Sequence, residues 1–384
     1  MAPERTFWFL IKQKLVDLKS NLRIIFYWVE YFFWLVFSFA KFKKKPSKIK
    51  EILIINYGAL GDIFSSLRIT YNLKIKNPKI NFSLLIPQIF YKKIKPFEKI
   101  VDIKILEEKD LVDKKFEITL LFGFFPKIKQ NIKNLGYCIG NEYSGLKASF
   151  FSMKNLFINN KIMPLWRHKI MQEIGIAKLA GLEISEKLIP LEKIKSNKVN
   201  NFLKKNKIDK YIILHPAGRN FSKIIKDGRM PNLAWPFERF SETADYLTEK
   251  YNLKVLITGS KEEKFIGEIV SKKCKNKLKI YNVCGDFSFM EITTIMQKAK
   301  LLVSIDTASI HIAEFTGTPV IALFGPTFPE EIGPYGDKKK NISLCHPEYC
   351  IINRFKGACQ YNKNICMNSI SIEEVKKTID KILK

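Results

Sequence analysis

Acidic residues are scarce in this chain. Its 384 residues hold 37 Asp and Glu against 66 Lys and Arg, a formal charge of +29. So one-sided a balance points to an anionic partner: nucleic acid, an anionic membrane surface or a phosphorylated substrate. It says nothing of fold, and the richness in Lys, Ile and Asn is also what an AT-biased genome produces. Cysteine is sparse too. Seven in the whole chain exclude a disulfide scaffold, and a reducing compartment is the default. No short-period repeat is present, which excludes a solenoid. No recognised nucleic-acid motif accompanies the charge. The dinucleotide fingerprint GxGxxG is missing as well.

Apolar residues make up 46% of the chain, with 30 Phe, and the length suits two domains of ordinary size. Residues 1–48 stand apart. The run 24–40, "IIFYWVEYFFWLVFSFA", holds nine aromatic residues and one charge, Glu30, with basic residues on both sides. At helical rise it spans about 26 Å, marginal for a bilayer core. Trp and Tyr favour the membrane interface, and lysines favour anionic headgroups. No small-residue cleavage site follows, so it is not a secretory leader. It is expected to be a membrane anchor, spanning or lying in the interface. The alternative is a helix packed on the globular part.

From residue 49 short apolar runs alternate with helical segments. Strands are expected at 51–56, 81–87, 117–124, 211–218, 254–260, 301–305 and 319–324. Helices are expected at 62–76, 168–182, 237–251, 288–299, 308–316 and 371–384. This βα alternation implies largely parallel sheets with helices on their faces. Two doubly wound halves, 49–190 and 191–384, are the reading.

Open α/β sheets bind ligands beyond the carboxyl ends of their strands, and polar clusters gather at those ends here. "NYGALGDIF" ends a strand at Asn56 and opens a helix at Asp62. Asp62 alone would be a helix cap worth about 1 kcal/mol. Gly58 and Gly61 go beyond that, because glycine admits a close ligand or backbone. In "SIDTASIHIAE" the helix from Ala308 presents unpaired N–H groups and a positive dipole end, which suits phosphate. Thr307 adds a hydroxyl. Asp306 would repel phosphate and is expected to turn aside to accept hydrogen bonds. His311 is either a core histidine or a site residue. Gly325 and Thr327 end the neighbouring strand. "ITGSKEEKF" ends a strand at Gly259 and Ser260. Glu262 or Glu263 would grip ribose hydroxyls there, or would merely complement the helix dipole. The basic loop holding Arg219, Lys223, Lys226 and Arg229 would neutralise a diphosphate, or is a solvated surface.

In combination these motifs resemble glycosyltransferase family 9, the lipopolysaccharide heptosyltransferases, over residues 51–375. The resemblance is carried by "GALGDIF", "DTASIHIAE", "TGTPVIALFGPT", the "GPY" at 333–335 and "WPFERF". It implies a GT-B fold of two Rossmann-like domains, with acceptor on the first and nucleotide-sugar on the second. It implies an inverting transfer without metal or other cofactor, and Asp62 as the catalytic base. Gly61 and Arg68 would meet an anionic glycolipid acceptor. Lys223, Lys226, Arg229, Gly259, Glu262, Glu263, Asp306, Thr307, Ala308, His311, Gly325 and Thr327 would hold the donor, with ADP-heptose as the family default. The implied place is the cytoplasmic face of a bacterial inner membrane, with no nucleic acid as partner.

Departures from the family pattern bear on the donor. Ala308 stands where the family has Gly, and Leu233 where it has Lys. Arg68 lies in "LRIT", where the family carries Pro. Cys345, Cys350, Cys359 and Cys366 are spaced C-x4-C-x8-C-x6-C, unlike the shorter pairs that open standard zinc sites. Buried thiols are the expectation, a structural metal the alternative. Rival functions are a relative using another nucleotide-sugar, and a non-catalytic basic protein binding membrane or nucleic acid.

Overall fold

The computed structural model describes residues 44–123, 135–141, 158–162, 168–229, 231–346 and 364–384. The aromatic run 24–40 therefore lies outside the described residues. Contacts divide the chain into Met1–Pro46 and Ser47–Lys384, and every described strand and helix belongs to the second unit. Among the described residues no helix is long and apolar enough to cross a membrane.

Two six-stranded parallel sheets organise this unit. The first contains β1 (Glu51–Ile55), β2 (Asn81–Leu85), β3 (Lys104–Leu106), β4 (Ile118–Leu121), β5 (Tyr137–Asn141) and β6 (Ile158–Ile162), in spatial order β3-β2-β1-β4-β5-β6. The second contains β7 (Tyr211–His215), β8 (Lys254–Ile257), β9 (Ile280–Asn282), β10 (Leu302–Ile305), β11 (Val320–Phe324) and β12 (Asn341–Cys345), in order β12-β11-β10-β7-β8-β9. Both follow the 3-2-1-4-5-6 winding of a Rossmann sheet, each with a switch point where the order reverses. In the first sheet it lies between β1 and β4. In the second it lies between β7 and β10.

The central strands are short, Ile- and Leu-rich and buried on both faces: Ile52–Ile55 and Leu302–Ile305 are closed to solvent throughout. That is what covered parallel strands require.

The helices around these sheets include α1 (Leu60–Lys76), α2 (Gln88–Ile94), α3 (Lys169–Leu179), α4 (Asn197–Lys205), α5 (Phe221–Lys226), α6 (Phe237–Lys250), α7 (Lys264–Lys273), α8 (Phe289–Lys298), α9 (Ala308–Thr316) and α10 (Ile372–Leu383). Local capping fixes several ends. The Ser371 hydroxyl accepts from Glu374 N at 3.1 Å to start α10, and Gly317 closes α9 in the left-handed region at φ 77°.

The helix α1 departs from an ordinary surface helix. Every residue from Ile63 to Leu73 is buried, polar ones included. One side packs on the first sheet and the other on helices of the second half. Phe64 meets Phe289 of α8 with ring centroids 5.2 Å apart, and Tyr71 meets Phe315 of α9 at 5.7 Å. One apolar core thus runs from the first sheet through α1 into the second.

Candidate functional site at the junction of the two sheets

The helices α1 and α9 pack side by side with their N-termini together, and Gly61 makes the approach possible. A β-carbon there would lie 2.7 Å from His311 Cδ2 and 3.4 Å from Ala308 Cα. Gly58 serves a different purpose. Its missing side chain leaves room for the Asp62 carboxylate, whose Oδ2 would stand 2.3 Å from a β-carbon. That carboxylate folds back and accepts from Ala59 N at 2.7 Å. The turn is held from below by Asn56, which accepts from Gly58 N at 2.7 Å and donates to the Asp62 carbonyl at 3.1 Å. Gly123, at the end of β4, lies over the Asn56 amide. Asp62 therefore stands at the switch point of the first sheet, with its side chain about a third exposed.

Asp62 Oδ1 receives a hydrogen bond from Lys169 Nζ, at the start of α3. Burial pushes the Asp62 carboxyl up. The Lys169 ammonium, the Ala59 N–H and the nearby His311 outweigh it, and the group stays below the usual carboxylate range. It is an ionised acceptor at neutral pH. Behind the pair lies Glu173, 2% exposed and 3.9 Å from Lys169 Nζ. Burial raises its carboxyl to about 7.

On the opposite wall, the strand β10 ends in a cluster of hydroxyls. Ser309 lies 2.7 Å from both Ser304 and Thr307. No side chain caps α9, so its first N–H groups are available to an anion. Gly218, at the end of β7, would place a β-carbon 3.2 Å from the Thr307 methyl. The second sheet's switch point therefore borders the same helix end. Thr307 and Ala308 are half-buried. Asp306 is turned aside. Its Oδ2 accepts from the Thr327 hydroxyl at 2.8 Å, joining the ends of β10 and β11, and burial raises its carboxyl.

Below this junction Glu314 ties the halves together. It accepts from Arg68 Nη1 at 3.0 Å and from Tyr335 N, and lies 3.0 Å from His311 Nδ1. Burial disfavours its charge, but His311 and Arg68 hold its carboxyl below the ordinary range. Burial likewise opposes the His311 cation, and Glu314 overcomes it, raising the imidazole. A second tie runs from His168, whose Nδ1 accepts from Ile170 N. Its Nε2 therefore carries the proton and donates to Gly333 O at 2.7 Å.

The remaining expected residues divide. Arg68 is buried, at 6% exposure, and its Nη1 is paired with Glu314. The space over Gly61 is taken by α9, through His311 and Ala308. Gly325 is buried against Met367 and Cys366, its β-carbon position 2.6 Å from the Met367 sulfur. Glu263 caps its own turn, accepting from Ser260 N at 2.6 Å, whereas Glu262 is exposed. Gly259 packs beside Cys284 and Glu263. Lys223 and Lys226 are exposed on α5, and Arg229 pairs with Asp227 at 3.1 Å. The Ser222 hydroxyl donates to Glu262 O at 2.7 Å, so that helix and the Glu262 turn are joined. Among the described residues no group of three or more His, Cys, Asp or Glu is placed to hold a metal ion, and Cys350 and Cys359 lie outside them. Lys169, Glu173 and Glu314 are the residues that sequence reasoning missed. The "RHK" that opens into α3 gives no local sign of an aspartate more than a hundred residues away.

Residues 145–363 match the family model for glycosyltransferase family 9 (heptosyltransferase). The chain belongs to this family. Among its relatives is lipooligosaccharide heptosyltransferase 2 of Haemophilus influenzae, 26% identical over 138 residues. That match covers 35% of this chain and 39% of the relative, so the chain spans about two fifths of that protein's length. A glycosyl transferase of family 9 from Veillonella parvula superposes with a TM-score of 0.68 at 17% identity, over 89% of this chain and 99% of that one. The E. coli ADP-heptose lps heptosyltransferase II gives 0.63 at 15% identity, over 87% and 98%. The fold of this chain is that of these two proteins: two parallel-sheet α/β domains in the GT-B arrangement.

Proposed function

We propose that this family member is an inverting glycosyltransferase that moves a heptose from ADP-heptose to a lipopolysaccharide-core-type acceptor. One observation carries the reading: a half-open, ionised carboxylate on one helix end stands beside an uncapped helix N-terminus on the other. Gly61 presses the turn of Asp62 against Ala308.

The chemistry follows from that pairing. Asp62 takes the proton of the acceptor hydroxyl as its oxygen attacks the anomeric carbon of the donor sugar. The bond from that carbon to the diphosphate breaks, and its electron pair leaves on the phosphate oxygen. Positioned base catalysis of this kind contributes about 10²–10⁴-fold. The N–H groups of α9 and the hydroxyls of Thr307 and Ser309 meet the charge developing on the leaving group. Lys223 and Lys226 supply cationic charge from the neighbouring helix α5. Asp306, turned to Thr327, faces the sugar hydroxyls rather than the phosphates.

The name of the E. coli relative supports ADP-heptose as donor. Ala308 and Leu233, which replace the family's Gly and Lys at the phosphate side, favour a second reading with another nucleotide-sugar. A thermal-shift screen separates them. A donor at about 100 times its dissociation constant adds about 2.7 kcal/mol of stability. A shift with ADP-heptose and none with UDP- or GDP-sugars supports the first reading. A shift with one of the latter supports the second, and no shift with any of them overturns both.

The anionic glycolipid acceptor brings the chain to the cytoplasmic face of the inner membrane, with the basic-flanked aromatic run 24–40 as anchor. Its test is co-sedimentation with anionic vesicles. Deleting residues 1–46 is expected to abolish it, and undiminished binding contradicts the anchor.

A further inference from the structure

The base at the junction does not act alone. Lys169 Nζ bonds to Asp62 and lies 3.9 Å from Glu173 Oε1. Two carboxylates thus compete for one ammonium. Glu173 is fastened to the helix that carries the base: it accepts from Ser66 Oγ at 3.0 Å and from Ser65 Oγ at 3.4 Å. Those serines lie three and four residues beyond Asp62, one helical turn on. Ser66 Oγ also accepts from Asn56 Nδ2 at 2.7 Å, and Asn56 holds the Asp62 turn. The polar chain from Asn56 through Ser66, Glu173 and Lys169 therefore begins and ends at the base.

Stability gives no reason for it. A single carboxylate already balances the charge of Lys169. A second, buried one adds a desolvation cost and repels the first. Lys169 and Glu173 are also spaced i,i+4 in the less favourable order for a helix.

We propose that Lys169 and Glu173 form a basicity control behind Asp62. Lys169 is a positioning residue that aims the carboxylate and holds it ionised, and ionised Glu173 draws the ammonium back to make Asp62 a stronger base. This deepens the proposed transfer reaction and rests on it. A carboxylate gripped by an ammonium is a poor acceptor for a hydroxyl proton. Partial withdrawal of that ammonium by Glu173 restores its basicity. Burial places the Glu173 titration near neutrality, where such a control has an effect. The other charged groups facing the base are His311 of α9 and Asp306 at the end of β10. Arg68 is committed to Glu314.

Two readouts test the proposal on the full chain. The first is the chemical shift of the Asp62 carboxyl against pH, followed by NMR in protein labelled at Asp carboxyl carbons and assigned with Asp62→Asn. The second is the pH profile of kcat/KM. Asp62 itself titrates below the usual carboxylate range, where Glu173 is already protonated, so Glu173→Gln is expected to leave that titration in place. What the variant is expected to remove is a second inflection near pH 7, seen in the Asp62 shift and as a rise in kcat/KM when Glu173 ionises. In Lys169→Met the titration of Asp62 itself is expected about one unit higher. Lys169→Arg keeps the charge and is expected to return it to near its wild-type position. A merely structural pair would lower kcat in both variants and give the wild type no inflection near 7 in either readout. An inflection near 7 that is lost in Glu173→Gln, without sugar transfer by the wild type, would uphold the coupling and overturn the proposed function. Transfer by the wild type, with no such inflection or with one that survives in Glu173→Gln, would overturn the coupling. If Glu173→Gln does not fold, Glu173→Asp, whose shorter carboxylate recedes from Lys169, takes its place. A smaller inflection supports the proposal there, and an undiminished one overturns it.

Discussion

A buried carboxylate beside a half-open one has consequences that reach beyond the reaction. Glu173 holds its proton to about pH 7 in the folded chain, whereas a free glutamate releases it near pH 4.5. The folded state therefore binds the extra proton between these values. The stability this confers is complete below about pH 4.5 and is lost as pH rises through 7. Glu173→Gln removes the dependence. Chemical denaturation is expected to show the variant and the wild type alike near pH 5. At pH 8 the variant should be the more stable, by on the order of 1–3 kcal/mol. Equal differences at both pH values would show that Glu173 does not titrate in this range. None of this was legible in the sequence. Asp62 was, because it follows a strand end and two glycines. The residues that set its charge were not, since Lys169 and Glu173 reach it only through the packing of α3 on α1.

At the scale of elements, the two glycines of the α1 turn predict different failures. An alanine at 61 drives its β-carbon into His311, whose ring is held by Glu314 and cannot give way, and into the first residue of α9. Gly61→Ala is expected to lower stability by about 1–3 kcal/mol, as overpacking does, and to lower the melting temperature. An alanine at 58 meets the Asp62 side chain first, its β-carbon as well as its carboxylate. Gly58→Ala is expected to evict that carboxylate from the Ala59 N–H and to cost turnover more than stability. Melting curves and rates for the two variants check the contrast, and a similar loss of both properties in each would contradict it. The sequence marked both glycines but assigned Gly61 to an acceptor, since a close approach reads the same whether helix or ligand makes it. The helix 308–316 and the strands flanking it follow the apolar pattern closely. β3 and β12 did not show, because three residues or a half-exposed edge carry too little periodicity. The full burial of α1 was hidden as well: its polar residues suggest a wet face, and only the second half of the fold dries it.

For the whole molecule, Glu314 is the pivot. Its two oxygens serve Arg68 from the first half, and His311 and Tyr335 from the second. Arg68→Met leaves a buried carboxylate short of its strongest partner and is expected to cost about 3–5 kcal/mol. Pairing it with Glu314→Leu, which removes the stranded charge, is expected to recover much of that loss, because hydrophobic replacement of a buried ion pair is often neutral. Urea midpoints for the single and double variants decide it. A double variant no better than the sum of its parts would show the two residues to be independent. The two doubly wound halves were legible as alternation along the chain, but the 3-2-1-4-5-6 order was not. The joint between the windings was not, since it is built from residues separated by 246 positions, as Arg68 and Glu314 are.

The central claim is that Asp62 deprotonates the acceptor beside a diphosphate held at the start of α9. The most direct measurement is the rate of nucleoside diphosphate release from ADP-heptose with acceptor present, in wild type and Asp62→Asn, alongside the thermal shift each shows with ADP. A loss of about 10²–10⁴ in rate with the shift retained is expected. An Asp62→Asn chain that releases the diphosphate as fast as the wild type would contradict it.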